Sequence, residues 1–210
     1  MPGLAEILRS LHGAWRLLLL DRRAITAFDP SPHAALRSFW VVVVTLPLYL
    51  ANTAISLDPT GELSTTRGLL ADLVDYALSW VIPLIVFYAL VRWYGRGERF
   101  WLLVSALNWT QIIQAVGSLI ATGLFLAAGT LVDPNAVESA PAVPTLIAGL
   151  VALLAMFLFA AMLAYEWYVA WVTLEAGVAL PTAAVLFDLV IGIGVSYGID
   201  HALLLLAHAA

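Results

Sequence analysis

Residues 145–164 read TLIAGLVALLAMFLFAAMLA, an apolar run of 20 residues. An α-helix rises 1.5 Å per residue, so a run of this length crosses the roughly 30 Å hydrocarbon core of a bilayer. The residues that follow, YEWYVAW at 165–171, place one carboxylate, Glu166, among four aromatic rings. The stretch therefore predicts a membrane-spanning helix, and the depth of Glu166 depends on where that helix ends.

The composition of the whole chain favours the same class. Of its 210 residues, 63% are hydrophobic and 11% are charged, whereas soluble domains are roughly half apolar and a quarter charged. We predict an all-α polytopic membrane protein with five transmembrane helices and an N-terminal amphipathic interfacial helix. The spans are placed at residues 36–57, 69–93, 99–131, 145–173 and 180–208.

Residues 1–30 are interpreted as a unit of their own, in front of the five-helix domain at 31–210. From residue 4 to residue 20, large apolar residues recur at three- and four-residue spacing, and most polar residues fall on the opposite side. Such a helix, with Arg9, Arg16 and Trp15, is typical of the headgroup plane of an anionic leaflet. The alternative is that it packs against the cytoplasmic ends of the spans.

The arginines predict the orientation. All nine basic residues are arginine. Eight of them fall on one side of the predicted membrane, and only Arg67 falls on the other side. The positive-inside rule then predicts a cytoplasmic N-terminus, and an odd number of spans predicts a periplasmic C-terminus. An alanine-rich chain whose basic residues are all arginine is typical of GC-rich bacterial genomes, so we expect a bacterial inner membrane.

Five polar side chains fall at membrane depth. Asn108, Gln111 and Gln114 are three residues apart on the third span and therefore share a face. Counting helical rise puts Asn108, Glu166 and Asp188 all about 12 to 14 Å below the cytoplasmic boundary, where they could meet. Two carboxylates together in a low dielectric would share a proton, which suits a proton relay or a cation site.

Each of these groups also has a structural interpretation. The amide stripe could hold the bundle together through interhelical hydrogen bonds, each contributing about 0.6 to 2 kcal/mol. If the fourth span ends at Ala164, the four rings form an interfacial aromatic belt, and Glu166 extends to water with no chemical role. We favour this belt over a buried Glu166.

Small residues recur in the fifth span. Gly194 and Gly198 have GxxxG spacing, and Gly192 lies on nearly the same side. The pattern predicts close packing against another helix. The alternative is a loosened helical segment that lines a site.

Signatures of catalysis and of metal binding are missing from the sequence. The chain has no cysteine, and it contains no HExxH, GxSxG, P-loop or GxGxxG motif. Asp200 and His201 are adjacent but have no third ligand at a fixed spacing. We therefore name no catalytic residue and lean against an enzyme, and we expect no metal, no cofactor and no nucleic-acid partner.

The layout resembles the Yip1 superfamily: a cytoplasmic N-terminal segment, five closely spaced helices and an external C-terminus. Residues 99–116, RFWLLVSALNWTQIIQAV, are similar to the stretch where bacterial members enter the third span and place polar residues within it. The aspartate, tyrosine and glycine-proline signature of the eukaryotic branch is absent. The resemblance implies a non-catalytic protein of membrane organisation or trafficking-like assembly.

Three functions follow from these patterns. The first is a membrane organiser or an accessory subunit of a membrane complex, with the lipid bilayer and other subunits or copies of itself as partners. The second is a small transporter or a proton/cation-coupled channel that uses Glu166, Asp188 and the amide stripe. The third is a subunit of a respiratory or photosynthetic complex, whose eight tryptophans pack against partners or pigments.

Overall fold

The computed structural model describes residues 1–56, 66–131 and 142–208, and every regular element in these ranges is a helix. The all-α prediction is confirmed for this part of the chain. Two 3₁₀ turns, Arg22–Ala27 and Gly97–Arg99, accompany the α-helices. The α-helices are α1 (Leu4–Leu18), α2 (Pro32–Ser38), α3 (Trp40–Ser56), α4 (Thr66–Trp93), α5 (Phe100–Thr130), α6 (Ala142–Leu174) and α7 (Ala179–His208).

Five helical segments are long and apolar enough to cross a membrane, and they match the five predicted spans one for one. Their bounds are Pro32–Ile55, Leu69–Trp93, Gly97–Thr130, Val143–Leu174 and Ala179–Ile199. The first begins earlier than predicted because Ser31 caps it: the Ser31 hydroxyl accepts a 3.2 Å hydrogen bond from the Ala34 amide, and proline follows the cap. The side chains of Arg67 and Asp200 lie outside the described residues.

Helix α5 is the centre of the bundle. It packs most extensively on α6 and also on α3, whereas α7 packs on α4 and α6. Every residue of α5 from Leu102 to Thr110 is buried. This half of α5 lies beside Arg96 and Arg99, and we call that side of the bundle the arginine-rich end.

Much of the outer surface of the bundle is apolar. The side chains of Ile85, Leu153, Phe157 and Val190 are each more than 60% exposed. Soluble proteins rarely carry large contiguous apolar patches on their surface. The bundle therefore has an exterior that fits a hydrocarbon solvent better than water.

Helix α1 packs across the arginine-rich end, in contact with α5 and α6. Gly13 and Leu17 are buried on its inner side, whereas Leu4, Leu8 and Trp15 are more than half exposed. The packing interpretation of this helix therefore holds for one of its faces. A second face leaves an apolar ridge uncovered.

Helix α1 ends two residues before the predicted boundary. The backbone of Leu20 is left-handed, with φ 63°, and the Asp21 amide donates to the Arg16 carbonyl at 3.0 Å. A left-handed residue followed by a hydrogen bond back to the last turn is a common helix stop. The reversal directs the chain into the 3₁₀ turn at Arg22–Ala27, which packs back on α1.

Candidate functional site: a polar cavity within the bundle

A cavity of about 490 Å³ lies between α3, α4, α5, α6 and α7. Residues from all five helices line it, and its walls carry both apolar and polar side chains. The five polar residues selected from the sequence all line this one cavity: Asn108, Gln111, Gln114, Glu166 and Asp188. The fold thus brings the candidate residues of three helices to a common site.

Glu166 is buried, with 6% of its surface exposed. It lies inside α6, which continues past Ala164 and ends at Leu174. The interpretation in which the span ends at Ala164 and Glu166 extends to water is therefore corrected by the structure. The longer helix carries Glu166 into the cavity wall instead.

Two of the aromatic residues beside Glu166 hold the N-terminal segment. The Tyr165 hydroxyl donates a 2.7 Å hydrogen bond to the Ala14 carbonyl, and the Tyr168 hydroxyl donates a 2.6 Å bond to the Leu20 carbonyl. Both tyrosines are at most 9% exposed. They are therefore covered by protein and do not form a lipid-facing belt.

The two tryptophans of the same stretch complete this contact. The Arg22 guanidinium lies 4.4 Å from the centroid of the Trp171 ring, within the range of a cation–π interaction. Trp171 stacks on Trp167, whose indole nitrogen donates a 3.0 Å hydrogen bond to the Thr182 hydroxyl. The aromatic stretch therefore connects α6 to the N-terminal segment on one side and to α7 on the other.

Glu166 and Asp188 form the acidic part of the cavity. Both carboxylates line the cavity, and no arginine lines it among the described residues. Within the same part of the chain, neither carboxylate takes part in an ion pair, since the pairs are Arg16–Asp21, Arg37–Glu6 and Arg99–Glu175. In the part of the chain that the structure describes, the site therefore has two acids and no protein counter-charge.

Asn108 has a structural role in addition to its place in the wall. Its side-chain amide donates a 2.8 Å hydrogen bond to the Ser38 hydroxyl, and both residues are buried. Ser38 ends α2, where a break at Phe39 separates it from α3. The bond therefore connects α5 to the break in the first span. This is the interhelical hydrogen bonding that the structural interpretation of the amide stripe predicts, here for Asn108.

Gln114 differs from Asn108. Its Nε2 donor is buried and has no hydrogen-bond partner among the described residues. A buried amide donor left unsatisfied costs about 1–3 kcal/mol. Gln114 lines the cavity, but its Nε2 atom is itself closed off from the interior of that cavity.

An aromatic wall on α3, on α4 and at Phe39, just before α3, was not anticipated from the sequence. Phe39 and Trp80 meet edge to face with centroids 6.2 Å apart, and Trp80 meets Tyr76 at the same distance. Tyr76 lies 4.8 Å from Tyr49, and all four residues line the cavity. The four-residue spacing of Tyr76 and Trp80 on one helical face was the signal that could have identified it.

Asp75 was also missed as a link between helices. One carboxylate oxygen accepts a 2.8 Å hydrogen bond from the Tyr49 hydroxyl, and the other accepts a 3.1 Å bond from the Ser196 hydroxyl. Asp75 therefore connects α4 to α3 and α7. It also fixes the hydroxyl of one aromatic ring in the cavity wall.

The predicted close packing at Gly192, Gly194 and Gly198 is not made within the described part of the chain. A methyl group built on any of the three meets no atom within 4 Å. The close approach occurs instead at Gly117 of α5, where the same methyl group would lie 2.7 Å from the Met162 sulfur. Helices α5 and α6 are thus in tight contact, while the glycine side of α7 is open.

The fold and the cavity define a bundle of five long apolar helical segments with a partly open cavity between them, and that cavity carries polar side chains. No protein-family model, curated protein or solved structure matches this chain. The chemistry of the site is therefore the basis for a functional proposal.

Proposed function

We propose that this chain is a multi-pass membrane protein that binds a small cation in its internal cavity and moves it across the bilayer in exchange for a proton. The observation that supports this most directly is the Glu166–Asp188 pair, which shares a cavity of about 490 Å³ without a protein counter-charge among the described residues. The proposal is the transporter alternative already raised by the sequence. The cavity favours it over the organiser.

The apolar exterior supports insertion into a bilayer, because the side chains on the outside of the spans are those that lipid solvates. The arginine-rich end is then cytoplasmic by the positive-inside rule, in a bacterial inner membrane, and the C-terminus is periplasmic. In this orientation α1 lies at the cytoplasmic leaflet. Its ridge of Leu4, Leu8 and Trp15 contacts lipid, and Arg9 and Arg16 lie at headgroup level.

The proposed exchange follows from charge balance. Two carboxylates that line one cavity inside a bilayer are costly unless a cation or a proton compensates them. A cation that enters the pair replaces a proton that leaves it, so the net charge of the site is unchanged. Gln111 and Gln114 extend the polar surface of the cavity along α5.

The test uses the full chain in liposomes of phosphatidylethanolamine and phosphatidylglycerol, with an acidic interior and an internal pH dye. Na⁺, K⁺, tetramethylammonium and benzyltrimethylammonium are added outside in turn. We expect at least one of them to raise the internal pH. Glu166→Gln and Asp188→Asn should reduce that rate to the rate of protein-free liposomes.

Glu98→Gln is the matched control, because Glu98 is an exposed carboxylate outside the cavity. It should exchange cations at the wild-type rate. If no cation raises the internal pH with a helical, monodisperse wild-type protein, the transport proposal is overturned. Equal rates in the wild type and Glu166→Gln would overturn it as well.

We propose the organiser as the second candidate, because the glycine side of α7 and the ridge on α1 are both uncovered. These surfaces suit an accessory subunit of a larger membrane complex, for example a respiratory or photosynthetic complex. They also suit a membrane organiser of the Yip1-like kind. Purification in a mild detergent should then recover stoichiometric partners or a homo-oligomer. A lone monodisperse monomer would count against this candidate.

A further inference from the structure

The cavity combines two kinds of wall. Helices α3 and α4 contribute three rings and Phe39, just before α3, contributes a fourth, all in edge or tilted contact along the wall; α5, α6 and α7 contribute the amides and both carboxylates. An aromatic face attracts a cation through its quadrupole, most strongly where water is excluded. Rings and acids together are the chemistry that recognises a cation with an apolar body.

Hydrogen bonds outside the rings hold the aromatic wall in position. The Tyr76 hydroxyl lies 2.7 Å from the Thr45 hydroxyl, within hydrogen-bonding distance, and the Tyr49 hydroxyl donates to Asp75. Both hydroxyls are thus engaged by neighbouring helices. The ring surfaces are fixed in place, which lowers the entropy cost of binding a ligand against them.

The size of the cavity and its ligand set disfavour a bare metal ion. Pockets of 300–1,000 Å³ are typical for small organic ligands, and this cavity has about 490 Å³. Hard cations such as Ca²⁺ take six to eight oxygen ligands. Among the described residues, no group of three or more His, Asp or Glu comes together.

We propose that the ligand of this cavity is an organic monocation, an ammonium group on an apolar or aromatic body, and not an inorganic ion. In this arrangement Glu166 and Asp188 bind the charge, and the ring of Trp80 with its aromatic neighbours contacts the apolar body. This inference rests on the proposed cation transport and names the substrate class.

Binding is measured by titration calorimetry on the full chain in detergent, with benzyltrimethylammonium as the probe. Its charge is permanent and its ring matches the aromatic wall. We expect one binding site per chain, no binding of benzenesulfonate, and no competition from Na⁺ at constant ionic strength. Glu166→Gln combined with Asp188→Asn should abolish binding.

The aromatic wall is tested with Trp80→Leu, which should weaken binding by about tenfold, the scale of a desolvated cation–π contact. Trp80→Phe keeps a ring and should lose less affinity, which separates a binding role from a folding defect. Trp93→Leu is the matched control, since Trp93 is 83% exposed and lies outside the cavity. It should bind as the wild type does.

Displacement of the probe by Na⁺, or wild-type affinity in Trp80→Leu, would overturn the substrate class. The two proposals fail separately. If the probe binds but no cation drives proton release from liposomes, the binding site is supported and the transport proposal is overturned. If Na⁺ alone drives proton release, and Glu166→Gln abolishes it, the transport proposal is supported and the organic-cation proposal is overturned.

Discussion

The Tyr165 hydroxyl donates a 2.7 Å hydrogen bond to the backbone carbonyl of Ala14, and the next residue along α6, Glu166, lines the cavity. Ala14 is fully buried, and Tyr165 is 4% exposed. Consecutive residues of α6 therefore face two different partners. The N-terminal helix is bound to the same turn that carries the proposed cation-binding acid.

Tyr165→Phe should loosen α1 without unfolding the bundle. The variant keeps the buried ring and loses one hydrogen bond, which costs about 0.5–1.5 kcal/mol. Hydrogen exchange in residues 4–18 should therefore become faster. Tyr197→Phe is the control, because Tyr197 is 74% exposed; equal exchange in the two variants would show that the Tyr165 hydroxyl does not hold the helix.

The reversal after α1 should depend on pH through Asp21. A hydrogen bond from the Arg16 side chain, and then one from the Arg23 backbone amide, hold the pKa of Asp21 below its usual value of 3.8. Because the pKa is lower in the folded state, this stabilisation is present above pH 3.8 and is lost as the pH falls through the folded pKa.

Hydrogen exchange of residues 4–18 should therefore be constant at neutral pH, after correction for the intrinsic exchange rate, and rise only in acid. Asp21→Asn should show the faster exchange at neutral pH, and its rate should then change little on acidification. If the variant showed the same acid-induced rise as the wild type, another group would be responsible for it.

Asn108 and Ser38 should be energetically coupled. Their 2.8 Å side-chain hydrogen bond is buried, and double-mutant cycles on comparable bonds between membrane helices average about 0.6 kcal/mol. The cycle consists of Asn108→Leu, Ser38→Ala and the double variant, unfolded by SDS in bicelles. Strictly additive losses of stability would mean that the bond contributes nothing.

Two glycines should respond in opposite directions to alanine. Gly117→Ala places a methyl group 2.7 Å from the Met162 sulfur, so the flexible methionine must shift and stability should fall. Gly194→Ala meets no atom within 4 Å and should leave the monomer as stable or slightly more stable. If Gly194→Ala lowered stability as much as Gly117→Ala does, α7 would have a partner on its glycine side.

The five long helices could be predicted from the sequence because the length of an apolar run is a direct consequence of bilayer thickness. That three of the candidate residues could meet followed from the regular rise of a helix, although the sequence favoured the alternative in which Glu166 reaches water. Counting residues put Asn108, Glu166 and Asp188 at one depth, and all three line the same cavity. The depths of residues on different helices can therefore be compared from the sequence without knowledge of how the helices pack.

The sequence did not predict which side of each helix faces lipid and which side faces protein. Tyr165 and Tyr168 were interpreted as part of a lipid-facing belt, and the structure instead covers them with protein; lipid and protein interior are both apolar, so the sequence does not distinguish the two. The choice depends on the path of residues 1–30, which periodicity does not specify. For the same reason, Gly117 was not distinguished from Gly194: small residues permit close packing but do not say which helix is adjacent.

The most direct test of the cavity is the reactivity of a thiol at position 166, since the chain has no cysteine of its own. Glu166→Cys is treated with a trimethylammonium-bearing methanethiosulfonate, and Leu153→Cys serves as the control on the outward apolar surface. We predict that position 166 reacts and that position 153 does not. A thiol at 166 that is as inert as the one at 153 would contradict a cation-accessible cavity.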